Sequence, residues 1–123
     1  DAWSEAYDST MVESRPLELI TAREAAKVEE SLSLLSAVAD PVRWTVLRHL
    51  AQHGTTCVCD LQERVPVAAN LLSYHLKVLR EAGLVTTARR GRWVDYTLAD
   101  TAAERLLEAL PIDLPVDTEP ARS

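Results

Sequence analysis

The chain has 123 residues, 47% of them hydrophobic and 26% charged, which suits one compact domain with enough apolar material for a core. No apolar run approaches the roughly 18 to 20 residues that cross a bilayer, and no positively charged apolar leader stands at the start, so a cytoplasmic protein without membrane partners is expected. The net charge of −6 would exclude a nucleic-acid partner only if it were spread evenly.

It is concentrated at the ends. Residues 1–20 carry five acids against Arg15 and are read as an N-terminal arm. Met11 is a candidate start within it, which would make residues 1–10 an added extension. The domain is expected over 21–110. Thr21 and Glu24 match a capping box, and Ala25, Val28, Leu32, Leu35 and Val38 follow at helical spacing, so a first helix begins here. Asp40-Pro41 starts a second, an N-cap followed by proline in the first helical position, with Val42, Trp44, Val46, Leu47 and Leu50 as apolar positions before Gly54. A third, short helix covers about 58–65 and stops at Pro66. A fourth spans about 68–82, with Leu71, Leu72, Leu76 and Leu79 as its apolar face and Gly83 just past its end.

Residues 84–89 and 93–98, separated by Arg90-Gly91-Arg92, are β-branched and aromatic enough to form a β-hairpin. Asp100 or Thr101 caps a last helix carrying Leu106, Leu107 and Leu110. Residues 111–123 are rich in acid and proline and are expected to form a disordered tail.

The resulting order, α-α-α-α-β-β-α, specifies a mainly α winged helix-turn-helix, with the fourth helix suited to a DNA major groove and the hairpin to a flanking wing. Charge agrees with that assignment. Between Lys77 and Arg92 stand five bases, Lys77, Arg80, Arg89, Arg90 and Arg92, and a single acid, Glu81. A phosphate backbone would use such a stripe, although a solvated helix face followed by a charged turn would look the same.

Asn70, Ser73, Tyr74, His75 and Lys77 offer donors and acceptors to bases and phosphates. A core position for Tyr74 and His75 is disfavoured, because the four leucines already supply the inner face. Arg89, Arg90 and Arg92 have no acid nearer than Asp95 and are expected to neutralise phosphate. The terminal helices carry apolar stripes that a core this small cannot cover. Pairing with a second copy would cover them and present two recognition helices to a palindromic double-stranded operator.

No catalytic constellation stands out. Ser73 and His75 are too close on one helix for a buried triad, and no glycine-rich phosphate loop exists, so an enzyme and a catalytic cofactor are not expected. Cys57 and Cys59, one residue apart, suggest a metal, metalloid or redox site in competition with two plain buried thiols.

Four strings occur in order: Ala39-Asp40-Pro41-Val42-Arg43, Cys57-Val58-Cys59-Asp60-Leu61, Leu72-Ser73-Tyr74-His75-Leu76-Lys77-Val78-Leu79 and Ala82-Gly83-Leu84-Val85. Together they resemble the ArsR/SmtB family of metal-sensing repressors, in register from about residue 31 to 98. The resemblance implies a homodimeric repressor that leaves its operator when a metal or metalloid binds. It assigns Cys57 and Cys59 to a thiophilic ion, with arsenite or antimonite as the first choice. Family members often carry serine at 68 and glutamine at 69, where this chain has Ala68 and Ala69. Arsenite sensors often carry a third cysteine where Gln62 stands.

His49 and His53, one turn apart near the end of the second helix, are candidate extra ligands or simply histidines at a solvated helix end. On an ideal helix Cys57 and Cys59 would point roughly 200° apart, so chelation is expected to unwind the first turn of the third helix and disturb the helix it supports. The alternatives of the same fold are a redox-responsive repressor and one that binds DNA independently of any ligand.

Overall fold

The computed structural model describes residues 21–113. The expected arm at 1–20, and all of the expected tail beyond residue 113, lie outside the described residues. The chain divides into two compact units, Asp1–Glu30 and Ser31–Ser123, and the division falls within the first helix.

That helix, α1, is Ala22–Val38. Its start is the anticipated capping box: the Glu24 N–H donates to Thr21 Oγ1 at 3.1 Å, and the Thr21 N–H donates to Glu24 Oε1 at 3.2 Å. In the second unit its inward residues are Leu34 and Ala37, whereas Leu32 is 61% exposed. Leu35 and Val38 of the sequence stripe pack against this core, and Leu32 does not. The helix is rotated so that part of that stripe faces away from the chain's own core.

Helix α2, Pro41–His53, starts where elementary capping chemistry puts it. Asp40 is extended (φ −152°, ψ 134°) and its Oδ1 accepts the Val42 and Arg43 N–H groups at 2.8 and 3.1 Å, with Pro41 in the first turn. Gly54 ends it at φ 78°, donating its N–H to the Leu50 carbonyl. A short strand follows, β1 (Thr56–Cys57), which the sequence reading lacked because two residues carry no readable periodicity. Helix α3 is Val58–Arg64 and helix α4 is Ala69–Glu81. Strands β2 (Val85–Arg90) and β3 (Trp93–Leu98) form the hairpin, and α5 is Ala102–Ala109.

The sheet order is β1-β3-β2, antiparallel throughout. Arg90 pairs with Trp93, so the loop is the two residues Gly91 and Arg92 rather than three. Gly91 has φ 64°, the positive dihedral that tight hairpin turns require. Thr56 and Cys57 lie opposite Tyr96 and Asp95, which ties the stretch between α2 and α3 to the hairpin.

Val46 from α2, Leu61 from α3, Leu72, Leu76 and Leu79 from α4, and Leu84 at the entrance to β2 are all fully buried. α4 closes with the Leu84 N–H donating to the Leu79 carbonyl across Gly83 at φ 77°. Arg105 of α5 then donates to the Gly83 and Ala82 carbonyls, each at 3.0 Å, and so satisfies the end of α4. This is a winged helix-turn-helix with one extra strand.

Candidate nucleic-acid interface and thiol pair

α4 has two faces. Leu72, His75, Leu76 and Leu79 are buried at the i, i+3, i+4, i+7 spacing of a core stripe, while Asn70, Ser73, Tyr74 and Lys77 are exposed on the other side. Two sequence expectations change. Leu71, assigned to the core, is 43% exposed, and His75, assigned to DNA, is only 7% exposed.

The reason lies in Arg43, a residue the sequence reading did not single out. Its Nη1 donates to His75 Nδ1 at 2.8 Å, so the buried imidazole finds its hydrogen-bond partner within the protein. The 72-75-76-79 spacing is the signal for a buried His75, and Leu71, which completes an apolar stripe by composition alone, masks it. The N-cap position, Ala68, makes no side-chain cap bond. The start of α4 therefore lacks the polar groups that serine at 68 and glutamine at 69 would add.

On the wing, Arg89, Arg90 and Arg92 are all exposed, but they are not equivalent. Arg90 grips Asp95 in a bidentate fork, Nε to Oδ2 at 2.9 Å and Nη2 to Oδ1 at 3.0 Å. The expectation that Asp95 leaves all three arginines unengaged is corrected here. Strand register explains it: Ala88 lies opposite Asp95 and Arg90 is two residues on, so both side chains share one face. The Arg90 hydrogen bond holds the Asp95 carboxyl below the usual carboxylate range. Among the described residues Arg89 and Arg92 have no carboxylate at ion-pair distance.

The thiol pair departs from the helical arrangement that the sequence suggested. Cys57 is not in the helix. It ends β1 and caps α3 from an extended conformation (φ −68°, ψ 146°), and its Sγ accepts the Cys59 N–H at 3.3 Å. Cys57 is buried and Cys59 exposed. A hydrogen bond with the Cys57 side chain is the main cause raising the Cys59 thiol above its ordinary value, with desolvation and nearby negative charge adding to it. Because Cys57 stands at the cap and not within the helix, the 200° separation of an ideal helix does not describe this pair.

His49 and His53 stack with ring centroids 4.5 Å apart. They line a pocket with Thr55, Thr56, Asp60, Glu63 and Arg64, and neither cysteine lines it. Burial, then the neighbouring His53, lowers the His49 pKa. Among the described residues no group of three or more His, Cys, Asp or Glu side chains is spaced to hold a metal. Gln62, at the position of an expected third cysteine, donates from Nε2 to the Val67 carbonyl at 2.6 Å and pins the turn between α3 and α4.

A sequence model described as "Bacterial regulatory protein, arsR family" matches residues 40–87, from the cap of α2 to the start of the wing. The arsenical resistance operon repressor of Bacillus subtilis is 45% identical over 71 residues, 58% of this chain and 68% of that protein. The chain belongs to the arsR family. Among solved structures, HlyU from Vibrio cholerae superposes with a TM-score of 0.58 at 32% identity, covering 72% of this chain and 94% of that one. The crystal structure of the AntR antimony-specific transcriptional repressor gives a TM-score of 0.57 at 32% identity over 73% of this chain and 78% of that one. This arsR-family chain is a DNA-binding transcriptional regulator and not an enzyme. No helix among its described residues is long and apolar enough to cross a membrane.

Proposed function

We propose that the protein is a homodimeric repressor that grips a palindromic operator with α4 and the wing, and releases it when a thiophilic ion, arsenite or antimonite first, is held by Cys57 and Cys59. The observation that carries the ion reading is the sulfur pair itself: two free thiols at one helix end, one buried at the cap and one exposed in the first turn. Soft ions prefer such sulfur donors. Two adjacent thiols can displace two hydroxides of arsenous acid as water, forming two As–S bonds with no change in oxidation state. The names of relatives point the same way, one an arsenical resistance repressor and another antimony-specific.

Operator contact rests on the exposed Asn70, Ser73, Tyr74 and Lys77 with Arg89, Arg90 and Arg92 of the wing. Dimer formation is supported by Leu32, Trp44, Leu107, Leu110 and Ile112, all exposed. An apolar groove bounded by Trp44, Leu47, Leu98 and Leu106 adds to them.

Transmission begins at Cys57 Sγ, which caps α3. An ion that draws this sulfur into its own shell disturbs the cap, and α3 is pinned through Gln62 to the turn that launches α4.

Fluorescence anisotropy of the reduced protein on DNA from its own promoter, titrated with arsenite, antimonite, cadmium, zinc and nickel, tests the reading. Release by arsenite or antimonite at stoichiometric concentration is expected. Cys57→Ser and Cys59→Ser should each keep operator binding and lose that release. Tight binding undisturbed by every ion would overturn the sensing role. Release by peroxide alone would transfer the sulfur pair to redox control.

A further inference from the structure

We propose that Arg43 and His75 are positioning residues of DNA binding: one guanidinium joins the end of α1 to the recognition helix α4 and fixes the attitude in which α4 meets the operator. Arg43 Nε donates to the Ala37 carbonyl at 2.6 Å, Nη2 to the Ser36 carbonyl at 3.4 Å, and Nη1 to His75 Nδ1 at 2.8 Å. Three helices meet at this one side chain. It springs from the first turn of α2, satisfies carbonyls near the C-terminus of α1, and reaches the middle of α4.

Asp40 completes the corner. Its Oδ1 accepts the Arg43 N–H while capping α2, and lies 3.8 Å from His75 Nδ1. The chemistry of the central bond is constrained. A guanidinium always donates, so His75 Nδ1 must accept and the imidazole carries its proton on Nε2. That ring nitrogen is consumed inside the protein and the ring is buried, so His75 has no free Nδ1 to offer a base or phosphate.

Its effect on DNA is nevertheless direct in geometry. Tyr74 is the preceding residue and its ring meets the His75 ring edge-on at a centroid distance of 5.1 Å. Ser73 and Lys77 lie two residues away on either side. Hydrophobic burial of Leu72, Leu76 and Leu79 presses α4 onto the core but is non-directional. The Arg43 fork supplies the directional restraint that fixes where the exposed face points.

A positioning residue and a phosphate contact differ in their salt dependence. Each lost phosphate contact flattens the slope of log K against log salt by about one, whereas a mis-set helix weakens binding with the same charges in play. The test is operator affinity by anisotropy over a salt series for His75→Phe, His75→Asn, Arg43→Lys and the double variant Arg43→Lys/His75→Phe, with circular dichroism melts alongside.

His75→Phe, which fills the space but cannot accept, is expected to weaken binding about tenfold or more at unchanged slope. His75→Asn, whose Oδ1 can take the place of Nδ1, should recover most of the lost affinity. Arg43→Lys should weaken binding as His75→Phe does, and the double variant should be no worse than the poorer single one. A slope lower by about one in His75→Phe, or losses that simply multiply in the double variant, would overturn the proposal. If His75→Phe does not fold, His75→Asn and Arg43→Lys decide it: near wild-type affinity in Arg43→Lys rejects the proposal.

Discussion

Two arginines in this protein make forked contacts in different settings. Arg43 donates inward to carbonyls of α1 and a buried imidazole, while Arg90 donates to Asp95 on a wing where its own side chain is 62% exposed. Arg43 is half-buried, so water competes less for its donors, and the buried His75 acceptor would be left unsatisfied without it. On the wing, water and salt compete for both partners, and the pair can be exchanged for a phosphate with little loss. The same functional group therefore meets a buried acceptor at one site and an exposed, exchangeable one at the other.

The largest expected effect comes from removing Arg43. Arg43→Met strands the buried His75 acceptor and removes the bonds to the α1 carbonyls, and should lower stability by about 2–3 kcal/mol, seen as a drop of roughly 10 °C or more in the melting temperature. A melting temperature within a degree or two of wild type would put Arg43 in the same class as Arg90.

A smaller effect is expected at Asp40. Asp40→Ala removes the α2 cap and should cost about 1 kcal/mol in chemical denaturation. The same carboxylate gives a pH signature. The backbone hydrogen bond from Arg43 is the main cause holding its pKa below the ordinary 3.8, with desolvation opposing. A carboxyl lowered in the folded state contributes stability that is full above its unfolded value and is lost as pH falls through the folded one. The melting temperature should thus stay level from neutrality down to about pH 5 and fall below about pH 4. Asp40→Asn should flatten that fall, and an equally steep fall in the variant would locate the acid sensitivity elsewhere.

What was legible in the sequence follows the same division. Helix starts and ends were readable because Thr21, Asp40, Pro41, Gly54 and Gly83 act through local chemistry that needs no tertiary context. The hairpin was readable from β-branched spacing around Gly91. Unreadable features all depended on distant partners. Strand β1 exists because Thr56 and Cys57 find β3 about forty residues later. That pairing places Cys57 outside the helix and overturns the argument from ideal helical angles. His75 looked like a DNA contact because its partner, Arg43, lies 32 positions away, and a polar residue in an apolar stripe is interpretable only when the partner is known. Arg90 looked unpaired because a cross-strand diagonal reaches Asp95 only once the register is set.

The smallest expected effect on stability is at the wing, and there the contrast between the two arginines can be broken most directly. Arg90→Gln and Asp95→Asn should both melt as wild type does, since an exposed pair exchanged with water leaves nothing stranded. Their DNA behaviour should diverge. Arg90→Gln removes a cation from the wing, so operator binding should weaken several-fold at low salt and the salt slope should flatten by about one. Asp95→Asn keeps the guanidinium and removes its competitor, so binding should hold or tighten and the slope should not flatten. If Asp95→Asn weakened binding as much as Arg90→Gln, the fork would be positioning Arg90 for phosphate rather than occupying it. The wing arginine would then work by the same principle as the half-buried one, with Asp95 in the part that the α1 carbonyls play for Arg43.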